Sequence, residues 1–142
     1  MTANQAIELI TLFYVSPAGC YEDEIDQYQG ARAFIESGCA ELDEEERDIY
    51  RITDAGDEAL YPYIKEIAEG VIGFMQEHGC ECTDEEIQAW CAKQYDLKDE
   101  ETIELIAFFI CEKLQHFGCT ASKYYSSEKG WFRRLEALEV TE

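Results

Sequence analysis

The chain has 142 residues, of which 46% are apolar and 13% aromatic, so it can bury the core of one domain or of two small ones. This composition excludes a disordered chain. The 32 acidic and 11 basic residues give a formal net charge of -21, which repels duplex DNA and attracts a basic protein surface. No apolar run reaches the roughly 18 residues of a membrane span, and no positively charged leader is visible, so the sequence predicts a cytoplasmic protein with reduced thiols.

The first part of the chain changes from helical to strand periodicity near residue 39. Three helices are predicted before this point, over residues 6–15, 22–28 and 31–37. Gly38 follows the third helix at the position where a left-handed C-cap is favoured. Residues 39–42 and 48–52 are predicted to pair as a hairpin, and its tip carries the acidic run 43–46.

A long helix is predicted to follow the hairpin. Thr53 has the side chain of an N-cap, and the apolar spacing continues as far as Glu77. Pro62 lies inside this helix, and we expect it to kink the helix or to split it near Leu60.

Two further helices begin at capping sequences. Thr83 and Glu86 form a capping box, and Asp99 opens the longest apolar helix, which Gly118 ends. A short hairpin around Tyr124 and a segment over residues 131–138 are expected to close the chain.

The two tryptophans, Trp90 and Trp131, are predicted to lie in the core, since Trp side chains are largely buried on average.

The chain contains what reads as two copies of one small unit. Three segments recur in the same order, so that residues 20–28 correspond to 82–90, residues 34–39 to 114–119, and residues 50–56 to 124–130. The alternative is chance, because capping boxes and glycine C-caps recur in any helical protein.

The order of the predicted elements resembles that of the winged helix-turn-helix superfamily. The order is a helix, a short helix, a helix ending in glycine, a hairpin and a capped helix. The segment Tyr50-Arg51-Ile52-Thr53-Asp54-Ala55-Gly56 is similar to the end of the wing in many small bacterial regulators. The resemblance implies a mainly α fold with small β-hairpin wings (α+β), built as two tandem winged-helix-like units. The units would cover residues 1–66 and 67–142 and would be rigidly fused through a shared helix around residues 57–78. The resemblance is weaker in the second unit, whose wing is expected to be shorter.

Carboxylates occupy the positions where DNA-binding winged helices carry basic side chains, and the helix that would enter the major groove offers only Arg32 as a cation. We therefore predict that a basic partner binds acidic side chains on both units, namely Glu22, Asp23, Glu24, Asp26, Asp43, Glu44, Glu45, Glu46, Asp84, Glu85, Glu86, Asp99, Glu100 and Glu101. Helix capping alone explains Asp54, Asp84 and Asp99, because a carboxylate stabilises a helix N-terminus by about 0.3–1 kcal/mol.

A small basic patch lies near the C-terminus, and it is the one place where the sequence predicts contact with a phosphate. Its residues are Lys123, Lys129, Arg133 and Arg134.

The sequence carries no glycine-rich phosphate loop, nucleophile elbow or zinc-protease helix, so we predict neither an enzyme nor a cofactor. His78, Cys80, Cys82 and Cys91 are of the residue types that bind zinc, but the Cys-x-Cys spacing is atypical. No metal is predicted, and the sequence leaves this question open. His78 and His116 lie near helix ends, where an imidazole caps carbonyl groups.

Charge, size and the lack of catalytic motifs favour a non-enzymatic binding protein that docks a basic, nucleic-acid-binding surface. In its sharpest form it is a nucleic-acid mimic, similar in character to small acidic phage proteins that inhibit restriction or CRISPR nucleases in the host cytoplasm. One alternative is a winged-helix transcription regulator that binds DNA as a dimer through Arg32, Arg47, Arg51 and the C-terminal cations. Another is an acidic tandem winged-helix adaptor that binds protein segments. The sequence also leaves open whether the protein forms a homodimer.

Overall fold

The computed structural model describes residues 1–15, 19–28 and 30–138. The chain divides into two compact units, Met1–Tyr63 and Ile64–Glu142, and the boundary falls inside the long helix α3 (Asp54–Glu77). The described residues form helices and two small three-stranded antiparallel sheets, in agreement with the predicted α+β class. None of the helices in these ranges is both long enough and apolar enough to cross a membrane.

The first unit contains a helix, a very short strand, a 3-10 helix, a short helix and a hairpin before α3 begins. These elements are α1 (Ala3–Tyr14), β1 (Cys20–Tyr21), the 3-10 helix Glu22–Gln27, α2 (Ala31–Glu36), β2 (Ala40–Leu42) and β3 (Ile49–Ile52). The strand β3 is central and pairs antiparallel with β1 on one side and with β2 on the other. The sequence predicts helices and a hairpin in the same places, although the second helix has the 3-10 form.

The helix α1 is buried nearly all round, since only Asn4 among its residues is exposed. Its buried residues are Ala6, Ile7, Leu9, Ile10 and Phe13. The ring of Phe13 packs against that of Phe34 in α2, with the ring centroids 5.3 Å apart. Burial of one such side chain stabilises the fold by about 1.5–3 kcal/mol, so this contact fixes α2 against α1.

Local signals determine where α3 begins. The hydroxyl of Thr53 accepts a hydrogen bond from the amide of Gly56 (3.2 Å) and donates one to the carbonyl of Gly38 (2.7 Å). Gly38 has a φ of +84°, the left-handed conformation expected of a C-cap glycine. A Cβ atom at Gly56 would lie 2.2 Å from the carbonyl oxygen of Cys39, so only glycine allows the helix to start this close to the hairpin.

The second unit repeats the order of the first, because a very short strand, two helices and a hairpin follow the end of α3. These elements are β4 (Glu81–Cys82), α4 (Asp84–Gln94), α5 (Glu100–Lys113), the 3-10 helix Leu114–Phe117, β5 (Cys119–Ser126) and β6 (Gly130–Ala137). The last strand is again central, since β6 lies between β4 and β5. The predicted caps are confirmed, as Thr83 with Glu86 begins α4 and Asp99 begins α5.

A close contact joins α3 to α4 within the second unit. A Cβ atom at Gly70 would lie 2.4 Å from Cη2 of Trp90, so the indole ring rests directly on the backbone of α3. The ring of Trp90 is half-buried, and its centroid lies 6.0 Å from the centroid of the Phe74 ring. Glycine at position 70 thus lets the largest side chain of α4 fill the space beside α3.

One of the two alternatives for Pro62 is excluded, and two other expectations are wrong. The helix α3 runs unbroken through Pro62 and is not split near Leu60, which is fully buried, so packing outweighs the lost backbone hydrogen bond. The hairpin of the second unit is the longer one, with strands of 8 residues against 3 and 4 in the first. The third repeat pair joins unlike elements, because residues 50–56 lead from β3 into α3 whereas residues 124–130 lead from β5 into β6.

Candidate functional site

One end of the first sheet collects acidic residues from separate segments of the chain. Tyr21 of β1 lies opposite Ile49 of β3, and the amide of Glu22 donates a hydrogen bond to the carbonyl of Asp48 (2.8 Å). The amide of Asp43 donates to the carbonyl of Ile49 (2.9 Å), so β1 and β2 end where β3 begins. We name this region the acidic end of the first sheet, and it comprises Glu22, Asp23, Asp43, Glu44, Glu45, Glu46 and Asp48.

Asp43 shapes the tip of the hairpin. Its Oδ1 accepts hydrogen bonds from the amides of Glu45 (2.8 Å) and Glu46 (2.9 Å), and its Oδ2 accepts one from Nε of Arg51 (3.2 Å). These two amides, together with the Arg51 guanidinium, hold the pKa of Asp43 below its usual value. A carboxylate that bonds the amides following it in this way stabilises the turn itself.

Three other predicted carboxylates of the first unit have partners within it. Arg32 binds Asp26 through two hydrogen bonds of 2.9 and 3.0 Å, and Nη2 of Arg51 lies 3.7 Å from Glu46. Glu24 accepts a hydrogen bond from the amide just before its own 3-10 helix (3.4 Å). The remaining predicted carboxylates of this unit are exposed and contact no cation in the described part of the chain, and they are Glu22, Asp23, Glu44 and Glu45.

The second unit also uses predicted carboxylates internally. Asp84 pairs with Arg133 (2.6 Å) and Lys123 (3.0 Å), Glu86 completes the capping box of α4, and Asp99 caps α5. Burial raises the pKa of Asp84, but hydrogen bonds from Lys123 and Arg133 outweigh burial and lower the pKa below its ordinary value. Three predicted carboxylates have neither a cation nor a capping role among the described residues, and they are Glu85, Glu100 and Glu101.

The four cations of the predicted basic patch are paired with carboxylates of the same unit. The pairs are Lys129 and Arg134 with Glu81, and Lys123 and Arg133 with Asp84. Hydrogen bonding from Lys129, aided by Arg134, lowers the pKa of Glu81. A phosphate could contact this patch only by competing with these internal pairs.

The hairpin of the second unit exposes two aromatic rings. Trp131 and Tyr125 lie directly opposite each other, are each 65% exposed and have ring centroids 5.4 Å apart. Trp131 also lines a groove of 560 Å³ beside the start of α4. The prediction that Trp131 lies in the core is wrong, since its ring is exposed and the neighbouring Phe132 is buried instead.

The histidine and cysteines considered for zinc do not form a ligand set. Among the residues that the structure describes, no group of three or more His, Cys, Asp or Glu side chains could hold a metal ion. Nδ1 of His78 lies 2.9 Å from the carbonyl oxygen of Phe74, which agrees with its predicted capping role. Cys80 is half-buried, whereas Cys82 and Cys91 are buried, and burial raises the pKa of Cys91 to about 12.

The structure thus separates the predicted carboxylates into two groups. Internal contacts hold Glu24, Asp26, Asp43, Glu46, Asp84, Glu86 and Asp99. The outward group comprises Glu22, Asp23, Glu44, Glu45, Glu85, Glu100 and Glu101. Chemically, the outward group can accept charge-assisted hydrogen bonds from lysine and arginine side chains. Comparison of the chain with models of protein families, with curated protein sequences and with solved structures finds no match.

Proposed function

We propose that the protein is a non-enzymatic acidic binding protein that docks a basic, nucleic-acid-binding partner. In its specific form the proposal is a nucleic-acid mimic that inhibits a host defence nuclease of the restriction or CRISPR type. One observation carries it, which is the outward charge at the acidic end of the first sheet. Glu22 and Asp23 follow β1, Glu44 and Glu45 follow β2, and all four reach solvent without a cationic partner in the described ranges.

The charge balance supports a basic partner. The chain has 32 acidic and 11 basic residues, and internal ion pairs engage Arg32, Arg51, Lys98, Lys123, Lys129, Arg133 and Arg134. An excess of charges of one sign destabilises a compact fold, because the charges repel one another. Helix N-termini also favour five of the outward carboxylates, which are Glu22, Asp23, Glu85, Glu100 and Glu101. Glu44 and Glu45 lie at the hairpin tip, where no helix begins, so a basic surface that they attract is the better reason for their presence.

We infer that each unit is a winged helix, as the sequence resemblance implies. The shared order of elements and the central position of the last strand in both sheets support this inference. Winged helices that bind DNA place basic side chains on the third helix and the wing. Here the hairpin tip of the first unit is acidic, and the third helix of the second unit exposes Glu101, Glu104 and Glu112. A scaffold of this kind would present anions to a site that normally receives phosphates.

Inhibition of purified restriction and CRISPR nucleases tests this proposal. The test variant combines Glu22→Gln, Asp23→Asn, Glu44→Gln and Glu45→Gln, which removes four charges from the acidic end. Exposed ion pairs contribute about 0.2–1 kcal/mol each, so the loss of four should weaken inhibition by about fourfold to several hundredfold. Inhibition by the unmodified protein should also weaken as salt rises from about 0.1 to 1 M, because the Debye length falls from about 10 to 3 Å.

A matched control separates local from overall charge. Combining Glu36→Gln, Glu58→Gln, Glu69→Gln and Glu77→Gln also removes four exposed carboxylates, all outside the acidic end. This control should inhibit as the unmodified protein does. Equal losses in the two variants, inhibition that salt leaves unchanged, or DNA that fails to compete for the nuclease would contradict mimicry.

A further inference from the structure

The outer strand of the second sheet leaves one backbone edge open. The strand order is β4, β6, β5, so β5 pairs with β6 on one side only. The amide of Leu138 donates a hydrogen bond to the carbonyl of Gly118 (3.0 Å), which fixes the phase of the ladder. Because bonded and non-bonded pairs alternate in an antiparallel ladder, Lys123 and Tyr125 direct their amides and carbonyls away from β6. No backbone partner outside the ladder reaches these four groups within the described residues.

The same part of β5 is exposed to solvent. Residues 122–125 are all exposed, whereas Ala121, earlier in the strand, is buried. Tyr125 and the facing Trp131 leave most of their surface in solvent. A groove of 510 Å³ between α5 and β5, lined by Phe108 on the helix side, leaves space beside the strand. Exposed strand edges of this kind are the sites at which another chain adds a strand to a sheet.

Charge favours a second copy of this chain as the partner. Residues 113–127 contain no Asp or Glu, and they form the longest stretch of this kind in the sequence. The hairpin of β5 and β6 has four cations, all paired with Glu81 and Asp84, and two carboxylates of its own, Glu128 and Glu136. A nearly balanced surface selects neither a basic nor an acidic partner. It is a place where two molecules that each carry a formal net charge of -21 can approach with little repulsion.

Symmetry and side-chain chemistry limit how two β5 strands can pair. In an antiparallel pair related by a two-fold axis, an axis at Lys123 would place two lysines directly opposite each other, which is destabilising. An axis at Ser122 would require the carbonyl of Ala121 to accept a hydrogen bond, although Nη1 of Arg133 already donates one to it (2.7 Å). An axis at Tyr124 avoids both conflicts.

We propose that the protein forms a homodimer in which the β5 strands of two copies pair antiparallel about Tyr124. Lys123 of each copy then lies opposite Tyr125 of the other, and each of these pairs exchanges two hydrogen bonds. The lysine and the tyrosine ring lie on the same face, where a cation–π contact is favourable. An axis closer to the turn would extend the pairing past Ser126, where β5 ends.

Sedimentation velocity over a range of protein concentrations tests the proposal. Interfaces smaller than about 1,200 Å² are weak, so we expect a Kd of about 10–100 µM and a mass that rises above the 16.3 kDa of the monomer. Raising salt from about 0.1 to 1 M shortens the Debye length from about 10 to 3 Å, so the dimer should tighten about threefold or more. Docking of a basic partner responds to salt in the opposite direction.

One pair of variants separates local contacts from overall charge. Tyr125→Lys places two lysines opposite each other twice in the dimer, so the dimer should weaken by about tenfold. The same change lowers the net negative charge, which by itself favours association. Tyr61 is 53% exposed and lies in the first unit, so Tyr61→Lys makes the same change of charge and should retain the dimer.

Cysteine cross-linking tests the register. Two residues opposite each other in a non-bonded pair have Cα atoms about 4.5 Å apart, so Tyr124→Cys should form a disulfide between copies on oxidation. Ser122→Cys is the control, because its two copies would lie about 13 Å apart along the strands. Mass spectrometry of the linked peptides distinguishes these disulfides from those of the native thiols.

Three results would overturn the homodimer. They are a protein that stays monomeric at about 300 µM in 1 M salt, a Tyr125→Lys variant that associates as the unmodified protein does, and cross-linking at position 122 but not at position 124. None of these measurements involves a nuclease, so failure of the homodimer leaves the proposed function unaffected.

Discussion

Arg133 and Asp84 form the most deeply buried ion pair among the described residues, with Nε of Arg133 2.6 Å from Oδ1 of Asp84. The side chain of Arg133 is only 5% exposed, and its Nη1 also donates a hydrogen bond to the carbonyl of Ala121 (2.7 Å). One guanidinium therefore joins β6 to the start of α4 and to β5. This arrangement makes the pair a structural feature of the second unit.

Replacing Arg133 with methionine should destabilise the second unit by about 2–3 kcal/mol, because it leaves the carbonyl of Ala121 without its donor and Asp84 with Lys123 as its remaining cation. This loss of stability is smaller than the loss expected on breaking a fully buried ion pair, since the Asp84 side chain is 34% exposed. Both tryptophans belong to the second unit, so their emission during urea unfolding reports on it. Arg134→Met is the control, and its exposed pair with Glu81 should contribute about 0–1 kcal/mol. Equal effects of the two substitutions would contradict the structural role of Arg133.

The same pair makes stability depend on pH in the acidic range. The folded-state pKa of Asp84 is lowered, because hydrogen bonds from Lys123 and Arg133 outweigh the effect of burial. The unfolded state therefore takes up a proton first as pH falls, so the stabilisation is complete above the ordinary carboxyl pKa of about 4 and is lost as pH falls through the folded-state value. Asp84→Asn should lower stability at pH 7 and flatten its fall below about pH 4. A variant that keeps the full acid dependence in urea titrations would show that other carboxylates cause it.

The cysteines should divide into fast and slow groups when treated with a thiol reagent. All 7 are free in the structure, and Cys39, Cys80 and Cys119 are only half-buried. The buried group comprises Cys20, Cys82, Cys91 and Cys111, and burial raises the pKa of each thiol, to about 11 for all but Cys91 and to about 12 for Cys91. Because the thiolate is the reactive form, mass spectrometry during alkylation at pH 8 should show the half-buried group modified first. Simultaneous modification of both groups would mean that the buried thiols open to solvent readily.

Two glycines of α3 provide a matched pair of substitutions. Gly70→Ala should destabilise the second unit by about 1–3 kcal/mol, since the new methyl group would overlap the ring of Trp90. Gly73→Ala should instead stabilise it by about 0.5–1 kcal/mol, because a Cβ atom there meets nothing within 4 Å and alanine favours the helix. Urea unfolding of both variants measures the difference. Opposite signs are expected, and two equal changes would place Trp90 elsewhere.

The sequence predicts those parts of the fold that depend on neighbouring residues. The cap at Thr53, the capping box at Thr83 and the left-handed Gly38 each involve side chains and amides only a few residues apart. The long hairpin of the second unit was not predictable in the same way, because the pairing of Tyr125 with Trp131 has no local signal at the strand ends. Helix and turn positions therefore follow from the sequence more reliably than strand length does.

In the candidate site, too, contacts between residues close in sequence are predictable, whereas contacts between residues far apart in sequence are not. The capping role of Asp99 is readable from its position before α5, where it accepts a hydrogen bond from the amide of Thr102 (2.9 Å). The pairing of Asp84 with Arg133 joins residues 49 positions apart, so no local pattern reveals it. No local pattern in the sequence indicates the groove of 510 Å³ beside Phe108, because its two walls are α5 and β5.

The acidic end of the first sheet has a consequence for the small ions around the protein. Carboxylates without internal cations are expected to attract potassium, magnesium and polyamines from solution, as the phosphates of a nucleic acid do. A basic partner that binds there releases these counterions, and their gain in entropy favours the complex. The ionic composition of the cell would then determine how firmly the protein holds its target.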